Sequence, residues 1–183
     1  MSLSLKILLW SNYLSNFGYS LFFPLYAVFA SQINANIFVI ASSWAVYTIT
    51  AGIMILLFGR VEDRIKNKPL MVFAGYLLLA CGALGFLFIQ NTVQLFMVQV
   101  FNAIGVGIVN PVWKTLYAKS EDRGKEAREW SMFDGGNMLF IGVGTLIGGY
   151  LVKLYGFSVV FILMFIIELF AAIVSLRLLK MRQ

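Results

Sequence analysis

Histidine is absent from this chain of 183 residues, and cysteine occurs once, as Cys81. Without a second thiol or an imidazole, the chain cannot form an internal disulfide, a zinc site of the Cys and His type or a Cys–His nucleophile pair. Charged residues are also scarce, at 12% of the sequence compared with about 25% in soluble domains. These absences argue against an enzyme of the soluble kind, and we expect neither a metal nor a cofactor.

Hydrophobic residues make up 61% of the sequence, and the mean hydropathy is +0.87. A helix that spans a bilayer needs roughly 20 mostly apolar residues. The sequence therefore predicts an all-α integral membrane protein with a single domain over residues 1–183. The first apolar stretch is too long for a signal peptide, so we expect it to remain as a span. The six predicted spans are Leu5 to Ala30, Ile37 to Phe58, Leu70 to Ile89, Val93 to Tyr117, Met132 to Val152 and Phe157 to Leu176.

Basic residues are concentrated in every second connection between these stretches. Cytoplasmic loops carry an excess of Lys and Arg, so both termini are predicted to be cytoplasmic, in a cell (inner) membrane. The net charge of +6 follows from this bias and from attraction to anionic lipid, without a nucleic-acid partner. The basic residues that set the orientation are Lys6, Arg60, Arg64, Lys66, Lys68, Lys119, Arg123, Lys125, Arg128, Arg177, Lys180 and Arg182.

A faint internal repeat divides the chain near residue 90. Pro24 and Pro111 interrupt the first and fourth stretches 87 residues apart, and Gly59 and Gly149 are 90 residues apart. Many transporters consist of inverted three-helix units nested in six-helix halves. The offsets predict such units over about 1–90 and 91–183, although Pro is common enough in membrane helices for chance to give the same spacing.

Three motifs resemble the major facilitator superfamily, with the chain as its amino-terminal half. The family's signature loop lies between its second and third helices, and its Gly, its Asp-Arg pair and its last basic residue are here Gly59, Asp63, Arg64 and Lys68. Lys66 and Asn67 depart from that pattern. The segment from Gln99 to Gly107 is similar to the family's Arg-x-x-Gln-Gly-x-Gly-x-Gly, with Gln99 in place of Arg. The segment from Gly144 to Gly149 is similar to its Gly-Pro-x-x-Gly-Gly, with Thr145 in place of Pro.

This hairpin also has a physical interpretation. We expect the second helix to end at Gly59, where a residue without Cβ lets a neighbouring backbone approach. Asp63, Arg64 and Lys68 then lie among the cytoplasmic helix ends, where a contact made in one conformation and broken in the other would act as a latch. The alternative is a short basic hairpin that only sets topology. In the fifth stretch, Gly144, Gly148 and Gly149 predict close helix packing.

Amides and aromatic side chains recur at helical spacing in the first and fourth stretches, so each set shares one face. Buried amides without partners cost several kcal/mol in a bilayer, so we expect these faces to be turned away from lipid. They would line a solute cavity, or else form hydrogen bonds between helices worth roughly 0.6 to 2 kcal/mol each. The predicted lining residues are Asn16, Tyr19, Tyr26, Gln99, Asn102, Asn110 and Trp113.

Two carboxylates lie in or near the predicted spans. Asp134 begins the fifth stretch, where we expect an ion pair with Lys114. Glu168 lies near the middle of the sixth stretch with no basic residue at its depth, so an ionised form is costly and a role in ion coupling is one interpretation. A hydrogen-bonded, protonated Glu168 is the other.

The resemblance implies a secondary transporter that moves a small solute by rocking-bundle alternating access. Such a carrier needs two six-helix units, and this chain supplies one, so we expect a homodimer or a second six-helix half. The alternatives are a truncated half of a longer transporter and a non-transporting helical interaction module in the bilayer. An intramembrane enzyme has little support, because no nucleophile and base are paired in the sequence.

Overall fold

The computed structural model describes residues 1–181, and all regular structure in that part is helical. Short 3-10 turns at Phe23–Leu25, Phe86–Phe88 and Arg177–Met181 accompany the helices. The helices are α1 (Leu3–Ser20), α2 (Tyr26–Gln32), α3 (Ile37–Glu62), α4 (Lys68–Gly85), α5 (Thr92–Ser120), α6 (Glu126–Tyr155) and α7 (Phe157–Leu176). Five of the described helices are long and apolar enough to cross a membrane, namely α3, α4 with its following turn, α5, α6 and α7 with its following residues.

The predicted first span is not one continuous helix. Helix α1 ends at Ser20, a 3-10 turn containing Pro24 follows, and α2 adds seven residues. Proline removes a backbone donor and clashes with the preceding turn, so the α-helix breaks here. Helix α1 also falls short of the candidate spans, because its hydropathy is lowered by Lys6, Ser11, Asn12, Ser15 and Asn16. Five candidate spans therefore stand where six were predicted.

Side-chain caps fix several helix starts close to their predicted positions. The Asn36 side chain accepts from the Val39 amide at 2.9 Å, and the Asn91 side chain accepts from the Gln94 amide at 3.0 Å. Each cap satisfies an amide that a helix N-terminus leaves free. Several helices instead run past their apolar stretches. Helix α3 continues to Glu62 and α6 begins at Glu126, because charged residues are good helix formers outside the apolar layer.

Helices α4 and α7 form the centre of the bundle and pack against each other. On one side α4 also packs against α5, and on the other α7 packs against α1. Helix α3 then packs on α5, and α6 packs on α1. As a result α3 and α6 are the least buried candidate spans, with 17% and 11% of their most apolar windows inside the bundle.

Two apolar clusters fill the bundle at different heights. One is rich in aromatic rings, with Phe22 contacting Phe29, Phe86, Phe157 and Phe161. The other lies toward the start of α1 and the end of α5 and includes Leu5, Leu8, Val72, Trp113 and Tyr117. The helices also carry polar side chains at the depth between these two clusters.

Candidate solute site

Helix α6 crosses α1 at two glycines. A Cβ built on Gly148 would collide with the Leu21 carbonyl, and one on Gly144 would collide with the Ser20 hydroxyl. Only a residue without Cβ lets the two backbones come this close. Gly149 is turned away from the crossing, with nothing within 4 Å of its Cβ position, so it takes no part in the close packing predicted for it.

A cluster of amides joins the same two helices in the second half of α1. The Asn16 amide donates to the Asn12 side-chain oxygen at 2.9 Å and to the Asn137 side-chain oxygen at 3.1 Å. Asn16 and Asn137 are both half-buried. Sequence reasoning missed Asn137, although an Asn inside the fifth apolar stretch is a signal of the same kind as Asn16. The Asn16 NH2 group is the donor in both bonds, and Asn12, Asn16 and Asn137 all remain half-buried.

Four aromatic residues, Tyr19, Phe23, Trp44 and Tyr47, form a continuous half-open surface that we call the aromatic face. The ring centroids of Tyr19 and Phe23 lie 5.7 Å apart, those of Phe23 and Trp44 4.7 Å, and those of Trp44 and Tyr47 4.9 Å. These distances are typical of attractive aromatic pairs. The sequence analysis did not identify Trp44 and Tyr47. Their spacing of three residues in the second stretch was the available signal.

Tyr26 lies behind this face instead of on it. It is 7% exposed, and its hydroxyl is hydrogen-bonded to that of Ser43 on α3. The contact holds α2 against α3. Tyr26 therefore contributes to the wall that carries the aromatic face, while Tyr19 contributes to its surface.

Glu168 is buried behind the aromatic face, with 2% of its surface exposed. One carboxylate oxygen accepts a hydrogen bond from the Ser15 hydroxyl of α1 at 2.9 Å, and the other oxygen has no partner. No ion pair involves Glu168 among the described side chains of residues 1–179, and its neighbours include Tyr19, Tyr47 and Tyr76. The hydroxyl of Tyr76 is likewise buried without a hydrogen-bond partner. An ionised carboxylate without a counter-charge is costly at such a position.

Three of the four candidate residues of the fourth stretch, Gln99, Asn102 and Trp113, lie inside the bundle and do not extend the aromatic face. The Trp113 ring nitrogen donates to the Leu8 carbonyl at 3.1 Å. The Asn102 amide donates to the Val98 carbonyl at 2.9 Å and lies against Gly82. Gln99 is 1% exposed and lies near Tyr26, while Asn110 is half-buried. For Gln99, Asn102 and Trp113, this placement favours the packing interpretation over a cavity lining.

The hairpin places its charges differently from the expectation. Helix α3 does not end at Gly59, and a Cβ there would meet nothing within 4 Å, so neither reason given for this glycine holds in the structure. Asp63 and Arg64 are exposed. The buried acid is their neighbour Glu62, which forms an ion pair with Lys68 and accepts from the Thr115 hydroxyl at 3.0 Å.

The sequence analysis therefore assigned the hairpin contact to Asp63, but the adjacent acid, Glu62, makes it. The triad of Glu62, Lys68 and Thr115 ties together the ends of α3, α4 and α5. Thr115, in the last part of α5, carried no sequence signal that pointed to an acid 53 residues away. The predicted ion pair between Asp134 and Lys114 is absent: both side chains are exposed, and neither forms an ion pair within the described residues.

A model of the Major Facilitator Superfamily matches residues 8–183 of this chain. Among curated proteins, the chain is similar to two that are each described as multi-drug resistance efflux pump PmrA, from Streptococcus pneumoniae strains TIGR4 and R6. Each is 25% identical over 181 residues, which cover 97% of this chain and 45% of the relative. The chain thus spans less than half the length of these relatives.

Proposed function

Since this chain belongs to the major facilitator superfamily, as its amino-terminal half, we propose that it carries a small solute across a membrane by rocking-bundle alternating access. The single observation that carries the proposal is the aromatic face beside the Asn16 cluster. Rings and amides that are half-buried on one surface suit a small amphiphilic or polar solute. A drug-like solute agrees with the description of the two relatives.

The proposed unit has six spans in two inverted three-helix repeats, with α1 and α2 together as the first span. Helix packing supports this arrangement. If the first three spans are exchanged with the last three, the α3–α5 contact becomes the α6–α1 contact. The α4–α5 contact then becomes the α7–α1 contact. Both members of each pair are present, and the α4–α7 contact maps onto itself. Inverted repeats of this kind are common in transporter halves.

Both ends of the described chain are proposed to lie on the cytoplasmic side. The start of α1, the start of α4, the end of α5 and Leu178 after α7 line one cavity, so these segments meet at the same end of the bundle. That end carries Lys68 and Lys119 as well as the basic loops. By the positive-inside rule, these basic residues support a cytoplasmic position for this end.

A second six-helix unit is proposed to cover the open side of the bundle, either as a second copy or as another half. The candidate surface lies on α3 and α6, whose exposed residues include Ile49, Ile53, Leu139 and Leu146. Between them lie the aromatic face and the Asn16 cluster, whose polar groups are costly to leave against lipid.

Oligomeric state is the first test of this arrangement. We expect native mass spectrometry of the protein released from nanodiscs to show a dimer, because a parallel pair would pack two polar surfaces together. A monomer that catalyses no flux in liposomes would contradict the carrier and favour the non-transporting module. A monomer that transports would instead show that one unit suffices.

Substitutions at two asparagines distinguish a role in solute binding from a role in helix packing. Asn16→Leu is expected to lower uptake of a fluorescent aromatic dye into proteoliposomes about two- to twelvefold, because a hydrogen bond is worth about 0.5 to 1.5 kcal/mol. Its thermal stability should fall less than that of Asn102→Leu, since Asn16 is partly open although its amide links α1 to α6. Asn102→Leu should instead lower the free energy of unfolding by about 1 to 3 kcal/mol, because a larger side chain must fit against Gly82.

The comparison of the two variants decides where the site lies. If Asn102→Leu abolishes dye uptake without loss of stability and Asn16→Leu does not affect uptake, the solute site lies on α5 instead of on the aromatic face. Ion coupling is proposed at Glu168 and not at Asp134, since Glu168 is buried and Asp134 is exposed.

A further inference from the structure

Two polar groups in the interior of the bundle have no hydrogen-bond partner, and they are neighbours. One is the second carboxylate oxygen of Glu168 on α7, and the other is the hydroxyl of Tyr76 on α4. The two side chains are 2% and 1% exposed. Because nearly all buried polar groups in proteins are hydrogen-bonded, an unpaired donor beside an unpaired acceptor is a candidate for a functional contact.

The packing of α4 against α7 brings these two groups together. Tyr76 belongs to the same apolar cluster as Ala171 and Ala172 of α7. Residues three and four positions apart lie on the same face of a helix, so these alanines share a face with Glu168. Tyr76 therefore packs on the side of α7 that carries the carboxyl group.

The hydroxyl of Tyr76 has two polar neighbours on α1, Ser11 and Asn12, and both are engaged elsewhere. The Ser11 hydroxyl donates to the Leu8 carbonyl at 3.0 Å. The Asn12 side-chain oxygen accepts from the Asn16 amide at 2.9 Å. Neither forms a hydrogen bond of normal geometry with the tyrosine. The Tyr76 hydroxyl therefore remains an unused donor.

The other titratable groups near Glu168 are Tyr19 of α1 and Tyr47 of α3. Their hydroxyls interact with each other, and both side chains are half-buried on the aromatic face. No charged side chain of α1, α4 or α6, which pack on α7, pairs with Glu168 among the described residues. Since Ser15 donates to one carboxylate oxygen, Tyr76 is the buried donor left for the other.

We propose that Tyr76 is a positioning residue for ion coupling at Glu168, whose hydroxyl donates to the free carboxylate oxygen when Glu168 is ionised. The inference rests on the function proposed above. The proton released is that of the Glu168 carboxyl group, and Tyr76 keeps its own. A hydrogen bond to a charged acceptor is roughly twice as strong as a neutral one, so it lowers the cost of the ionised form. Uptake of a proton weakens this bond and thereby loosens a tether between the two central helices.

Infrared titration in proteoliposomes tests this role without measuring transport. The carboxyl band of protonated Glu168 is identified as the band that Glu168→Gln removes. In Tyr76→Phe this band should persist to a pH about one to two units higher than in the wild type, because the ionised form loses a donor. Tyr26→Phe is the matched control. It removes another buried tyrosine hydroxyl, which is bonded to Ser43, and should leave the titration unchanged.

Thermal unfolding distinguishes this role from a purely structural one. While Glu168 is neutral, Tyr76→Phe should be as stable as the wild type, because the hydroxyl has no partner to lose. Above the titration midpoint it should be less stable. A loss of stability that is the same at both pH values would overturn the proposal.

The titration also separates this proposal from the proposed function. Equal titrations of the wild type and Tyr76→Phe, including a band that pH does not change, would overturn the proposal even in a protein that transports. Equal shifts in Tyr76→Phe and Tyr26→Phe would do the same. The expected shift in a protein that carries no solute would support the role of Tyr76 and contradict the transport function alone.

Discussion

Glu168→Gln is expected to abolish the dependence of solute flux on a pH gradient, with a loss of at least about tenfold in gradient-driven uptake. The substitution keeps the size of the side chain and the oxygen that accepts from Ser15, but it removes the group that can take up or release a proton. Its neighbours from other helices are Tyr19, Tyr47 and Tyr76, with no cation to hold the charge. A charge at this depth is costly, so binding and release of a proton would change which conformation is preferred.

The measurement is dye flux in proteoliposomes containing the assembled protein, with and without an imposed pH gradient. Asp134→Asn is the matched control, because it neutralises an exposed acid on α6 and should leave the gradient dependence intact. Flux of Glu168→Gln that still responds to the gradient as the wild type does would place coupling elsewhere. Wild-type flux that never responds to the gradient would indicate facilitated diffusion.

Gly148→Ala is expected to destabilise the protein by about 3 kcal/mol, near the upper end of what overpacking costs. The added methyl group would collide with the Leu21 backbone, which cannot rotate away as a side chain can. Helices α1 and α6 would have to separate, and the separation would strain the Asn16–Asn137 hydrogen bond.

Gly149→Ala provides the matched control, since it adds the same methyl group one residue away where nothing lies within 4 Å. It should be neutral or slightly stabilising, because Ala within a helix is more favourable than Gly by about 1 kcal/mol. Thermal unfolding of the two variants in the same detergent measures the difference. Equal stability of the two variants would mean that the α1–α6 crossing does not form as described.

Much of the fold could be predicted from the sequence, because apolar length alone marks helices that cross a bilayer. The start of α3 at Ile37 and that of α7 at Phe157 were predicted to the residue. The break in the first stretch was harder, because Pro24 can kink a membrane helix or end it. Which of these occurs depends on whether neighbouring helices satisfy the freed backbone groups, and no sequence pattern gives that information.

The candidate site was less predictable, since a polar residue on a helix can face a cavity or another helix with the same spacing. Asn16 and Asn102 gave the same signal, yet one is open and the other is packed against Gly82. Glu62 and Asp63 show the limit most clearly. Neighbouring residues on a helix point about 100° apart, so a small rotation decides which acid is buried.

The phenylalanine cluster around Phe22 has a consequence for hydration. It fills the bundle on one side of Glu168, and the cluster of Leu5, Leu8 and Trp113 fills the other. The phenylalanine rings around Phe22 offer no groups that could support a chain of water molecules, and the hydroxyl of Tyr76, which belongs to the other cluster and lies near Glu168, is buried. The polar groups next to the carboxyl are the hydroxyl of Ser15 and tyrosines that include Tyr19 and Tyr47, both on the aromatic face. In the proposed carrier, a proton bound for Glu168 and a solute would therefore both enter by the aromatic face, so that occupancy by one obstructs the other.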